Sequence, residues 1–94
     1  MPTGLSHGEH SPQQLTLAKR ERQLQRALAQ MAPVHKLHAA AEHVRAAQLL
    51  VLKAHAENIR YSPTADPKRL RNIERQRIHW RDMSVEAILV QYAV

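Results

Sequence analysis

The sequence predicts an all-α fold: a small antiparallel helical bundle of three main helices plus a short C-terminal helix, expected to be dimeric. Three observations carry this. Apolar residues recur at helical spacing in long segments, the first stripe being Leu17, Leu24, Leu28 and Met31. Two helix-start signals place a capping residue directly before proline, at Ser11-Pro12 and Asp66-Pro67. The segment RYSPTADP at 60–67 is the clearest break in the chain, with two prolines and Ser, Thr and Asp close together.

Residues 1–10 hold both glycines, a proline and two histidines without periodicity, and are expected to be a disordered arm. Residues 11–94 then form a single helical domain, since a chain of 94 residues supports one domain at most. The first helix is predicted over 12–31. Ser11 is its N-cap, Pro12 its first residue, and Gln14 sits where a capping-box partner belongs. Lys19, Arg22 and Arg26 fall roughly opposite the apolar stripe.

Pro33 should break or kink the helix, because it lacks a donor and clashes one turn back. Yet none of Gly, Asn, Asp or Ser stands between Ala27 and Ala41 to make a tight turn. Either Met31–Pro33 is a short hairpin connection, the leading reading, or the first two helices form one kinked rod. The second helix is predicted over 34–60. Its wide apolar face holds Val34, Leu37, Ala41, Val44, Val51, Leu52 and Ile59, with His55 inside it and Leu49 and Leu50 off the stripe. A helix apolar on more than one side has more than one neighbour.

Asp66 caps the third helix, which starts at Pro67 and keeps one register to about Met83. Leu70, Ile73 and Trp80 share one side, with Trp80 expected in the core. Lys68, Arg71, Arg75 and His79 share another. Beyond Met83 the apolar set becomes Val85, Ile88, Leu89 and Tyr92, rotated by roughly a third of a turn. Ser84 is placed to cap a short fourth helix. The composition of this tail is also β-prone, but a lone strand would need a partner. An apolar C-terminus must be buried in its own core or in a second copy, and small cores gain stability by oligomerising. No internal repeat or low-complexity tract appears.

The net charge is +6, which points to an acidic partner. Arg outnumbers Lys ten to four, favouring planar contacts to phosphate or carboxylate. Between Pro67 and Arg81, six basic residues face one Glu. Lys68, Arg69, Arg71 and Arg75 are the candidate phosphate contacts, with Arg22 and Arg26 of the first helix secondary. Tyr61, Trp80 and Tyr92 are the only aromatics, too few for stacking single-stranded bases, so duplex backbone is the expected target. The sequence carries no zinc finger or zipper, and its helices are too long for a compact helix-turn-helix.

The rival partner is an acidic protein, docked on the basic helix with help from an exposed apolar patch around Trp80 and Tyr92. No membrane span is expected, since no apolar run reaches the necessary length. Cys is absent, which excludes disulfides and thiolate chemistry, and a cytoplasmic location is the default. Seven histidines are present. His35, His38 and Glu42 share a face at a spacing that suits a divalent metal. A matching Glu-x-x-His on a second helix is missing, so solvated or intrahelical pairing is the expectation and no cofactor is assigned.

In length and three-helix plan the chain resembles the small helical chorismate mutases, which bind a dicarboxylate between Arg and Lys side chains. The resemblance covers architecture and the basic third helix only. The family's Arg-x-x-Ile-Asp near the start is missing. Its Asp-x-x-Arg-Glu after the loop stands here as Asp66-Pro67-Lys68-Arg69-Leu70, without the final acid. Gly-rich phosphate loops are absent, and Ser11, Ser62 and Ser84 read as capping or turn residues. The chain is therefore expected to be a non-enzymatic accessory or regulatory protein that contacts nucleic-acid backbone, or else a protein-interaction module.

Overall fold

The computed structural model describes residues 11–93, and its helices are α1 (Pro12–Ala29), α2 (Val34–Arg60), α3 (Pro67–Asp82) and α4 (Val85–Tyr92). The expected arm, residues 1–10, lies outside the described residues. Each helix start follows its local chemistry. Ser11 and Gln14 form the full capping box, the Ser11 hydroxyl accepting from Gln14 N at 3.2 Å and the Gln14 side chain accepting from Ser11 N at 3.1 Å. Asp66 accepts from Lys68 N at 2.9 Å, and Ser84 from Ala87 N at 3.1 Å.

The connection at Pro33 is a turn, and α1 ends two residues earlier than its apolar periodicity implied. Ala32 precedes proline and is disfavoured in helical geometry. The chain turns at Met31, whose φ of 53° is left-handed. Met31 N donates to Leu28 O, and Ala32 N to Ala27 O, the paired bonds of a Schellman ending. Met31 is therefore outside the core stripe, 88% exposed. Methionine at a left-handed position costs roughly 1–2 kcal/mol, which glycine avoids. After glycine's greater unfolded-state freedom is subtracted, Met31→Gly should stabilise the fold by about 0.5–1 kcal/mol. A raised urea midpoint with unchanged slope is the expected readout, and a lowered midpoint would contradict this account of the turn.

α2 is the axle. α1 and α3 each pack antiparallel against it, α4 lies on α2 and α1, and the backbones of α1 and α3 do not approach closely. Ala47 and Leu50 lie against the start of α1, while Arg45 lies against the end of α3. Ala47 and Arg45 are about 160° apart around α2 at 100° per residue, so the outer helices lie on opposite sides of it. The three long helices thus form one layer, with α4 laid across part of one face. The dimensions agree: 48 × 37 × 18 Å, the thin axis being less than two helix diameters of about 10–12 Å. The radius of gyration is 15.3 Å, against about 12 Å for a compact domain of this length. The all-α bundle is present, in an open form.

The core sits where α4 crosses. Leu24, Ala41, Val44, Leu52, Trp80 and Ile88 are buried together, with Leu17, Leu28, Ile73, Met83, Val85, Leu89 and Tyr92 packed around them. The C-terminal segment is helix, and its apolar face is buried in its own chain. On α4 only Val90 remains as a large exposed apolar side chain, so the segment that suggested a dimer is largely spent internally. Tyr92 donates to the Glu21 carboxylate and ties α4 to α1. Burial, and then this carboxylate, push the Tyr92 phenol above its ordinary range. Leu49 packs on the core while Leu50 and Val34 stay exposed, so the wide apolar face of α2 is only partly used.

Candidate nucleic-acid interface

α3 presents its cations by simple helical geometry. Ile73 and Trp80 point inward, toward α2 and the core cluster that Trp80 shares with Leu24 of α1 and Ile88 of α4. Arg71 lies about 180° from Trp80 around the helix, and Arg75 and Lys68 lie within 60° of Arg71. All three are exposed, as is His79. They span eight residues, about 10 Å along the axis. Arg69 is also exposed but turns the other way. It lines a cleft with His55, Asn58, Ile59 and Ile73 at the end of the layer that α4 leaves open. His55 is half-buried at this cleft rather than sealed in the core.

The other cations near α3 are engaged. Arg77 bridges to Glu74 at 2.8 Å, and Arg81 bonds Asp82 at 3.0 Å. The Arg81 hydrogen bond holds the Asp82 carboxyl below the usual carboxylate range. Arg45 bonds Glu42 at 2.6 Å and also donates to the carbonyls of Trp80 and Arg81, each at 2.7 Å. Among the described residues, none of Lys68, Arg69, Arg71 and Arg75 lies within ion-pair distance of a carboxylate. The solvent-facing cations are thus separated from the paired ones.

Arg22 and Arg26 are exposed too, but they are not beside this face. They lie about 160° from Leu24 around α1, on the edge of the layer remote from α3. The structure does not bring the two groups together on one side.

α1 and α3 also share a sequence pattern that helical periodicity alone does not reveal. Residues 19–26 are KRERQLQR and residues 68–75 are KRLRNIER. Position by position, Lys19 matches Lys68, Arg20 Arg69, Arg22 Arg71, Leu24 Ile73 and Arg26 Arg75. Leu24 is buried and Ile73 is packed on the core. Lys19, Arg22 and Arg26 are exposed, as are their three counterparts. Lys19 therefore joins Arg22 and Arg26 as a member of the same row. Comparing the two segments directly would have found it. Arg45, by contrast, had no local signal, because its partners are 35 and 36 residues away.

The patch that an acidic-protein partner would need is not at Trp80 and Tyr92. Trp80 is 9% exposed inside the core, and Tyr92 is half-buried and bonded to Glu21. His38 and Glu42 have other neighbours: His38 Nε2 lies 3.8 Å from Glu86, and Glu42 holds Arg45. Among the described residues, no three His, Asp or Glu side chains converge as a metal site. No described helix is long and apolar enough to cross a membrane. Compared with known protein families, curated proteins and solved structures, the chain matches none.

Proposed function

We propose that this chain is a non-enzymatic accessory or regulatory protein, acting in the cytoplasm, that holds nucleic-acid duplex backbone along the outward face of α3. The observation that carries the reading is the row Lys68, Arg71 and Arg75, exposed and without carboxylate partners among the described residues, beside cations that are paired. Opposite charges at i, i+3 or i+4 on a helix pair with a small gain in stability. Here Glu74 lies within the row's own segment, yet it is taken by Arg77. The spacing lets three side chains reach one strand. Arg69, which the sequence groups with them, faces the cleft about 160° from Arg71 and stands apart from this row.

The reading as an adaptor for an acidic protein uses the same cations. It is the weaker one, because the apolar anchor it called for around Trp80 and Tyr92 is occupied inside the fold.

The test is fluorescence anisotropy with duplex DNA, single-stranded DNA and structured RNA at about 50 and 200 mM salt, the range over which phosphate contacts lose most affinity. The expected result is roughly micromolar duplex binding that weakens steeply with salt. Lys68→Ala, Arg71→Ala and Arg75→Ala should each lower the salt slope by about 0.9, one phosphate contact apiece. Absence of binding at the lower salt, or slopes unmoved by all three substitutions, would sink the proposal.

A further inference from the structure

We propose that the chain bridges two DNA duplexes, one lying along each outer helix. This rests on the reading of α3 as a phosphate-tracking helix and extends it to α1.

The two rows are equivalent in sequence, and each faces outward from its helix. Lys19, Arg22 and Arg26 repeat the residue types and the i, i+3, i+7 spacing of Lys68, Arg71 and Arg75. In each segment the apolar residue between the second and third cations, Leu24 or Ile73, turns inward and orients the cations outward. In each segment the acid is used elsewhere in the fold. Glu21 accepts from Tyr92, and Glu74 pairs with Arg77. Among the described residues, Lys19, Arg22 and Arg26 also have no carboxylate within ion-pair distance.

The rows face away from each other. α1 and α3 flank α2, and their backbones do not approach each other closely. Both run antiparallel to α2, so they run parallel to one another. A single duplex cannot serve both rows. Bending a site of 20–30 base pairs by even 40–90° costs about 1–6 kcal/mol. Reaching the opposite edge needs a reversal much sharper than that, for only three contacts in return. Two separate duplexes meet both rows with no bending at all. The rows are staggered along the layer. That on α1 lies toward the hairpin turn, and that on α3 toward the open cleft.

The α3 row is the stronger of the two, because it begins at the N-terminal, positive end of its helix, whereas that on α1 begins in the third turn. This asymmetry makes the proposal separable from the reading it rests on.

The experiment immobilises one duplex, adds the full chain at about 50 mM salt, and measures capture of a second, fluorescent duplex from solution. The wild-type chain should capture it. A variant carrying Lys19→Ala, Arg22→Ala and Arg26→Ala should lose capture while still binding a single duplex nearly as the wild type does. A variant carrying Lys68→Ala, Arg71→Ala and Arg75→Ala should also lose capture, with weakened single-duplex binding through α1. All six positions are exposed, so an unchanged helical circular dichroism signal is expected for both variants. Capture that survives in the α1 variant would overturn the proposal, because bridging would then come from two copies of the chain using their α3 rows. Wild-type binding of one duplex without capture of a second would overturn it alone. Failure to bind any duplex would overturn the reading of α3 with it.

Discussion

Replacing Trp80 with Ala is expected to cost about 3–5 kcal/mol. Total stability for a domain of this size is on the order of 4–14 kcal/mol, so the variant loses a large share of it. Trp80 stands where the elements converge. It shares the buried cluster with Leu24 of α1, Ala41, Val44 and Leu52 of α2, and Ile88 of α4. Removing the indole leaves a void bordered by several helices. Neighbours on rigid helices collapse into such a void only partly, and that incomplete collapse sets the size of the loss. The consequence for the layer is specific. The backbone of α3 comes close to α2 alone, so Trp80 is the side chain that ties α3 to the core shared with α1 and α4. The check is urea unfolding followed by far-ultraviolet circular dichroism, because the substitution removes the only tryptophan. Trp80→Phe should recover more than half of the loss. A Trp80→Ala cost below about 1 kcal/mol, the size of an average substitution, would mean the core is not organised around this side chain.

Arg45→Met is expected to cost about 1.5–3 kcal/mol, the range for hydrogen bonds made by a charged group. The Arg45 side chain is only 16% exposed. One of its nitrogens donates to both Trp80 O and Arg81 O, and its Nε reaches Glu42. These carbonyls belong to the last turn of α3, where no further turn supplies donors. The guanidinium satisfies them and places positive charge at the negative end of the helix dipole. Met keeps most of the buried stem and removes only the head, so the loss reports the polar contacts. Arg45→Lys should fall between wild type and Met, since one ammonium cannot hold two carbonyls and Glu42 in the same geometry. Amide hydrogen exchange provides the second readout. Protection should fall first in residues 79–83 of the Met variant, while the start of α3, capped by Asp66, keeps its own. Equal protection across α3 in both proteins would show that Arg45 is not its clamp.

Much of the fold could be read without coordinates, because helix starts are decided within a single turn. Ser11, Pro12 and Gln14, then Asp66 and Pro67, then Ser84, each meet donors two or three residues away. Those interactions exist whatever the rest of the chain does. The inward placement of Trp80 was readable for a similar reason, since helical period alone puts it with Ile73. Ends were harder. α1 stops at Ala29 through a left-handed Met31, and no glycine or asparagine announces it. The stop comes from Pro33 acting backward along the chain.

The chain by itself therefore determined its helices, their order, and which side of each carries charge, since all three depend on contacts or periodicities within a few residues. Only the tertiary structure decided the rest. It buried the apolar face of α4 in its own core. It aimed Arg45 at carbonyls far along the sequence. It held α1 and α3 apart, so that two cation rows that look additive in the sequence lie on opposite edges. These outcomes depend on which surfaces exclude water together, and that choice is made among distant segments by packing and chain connectivity.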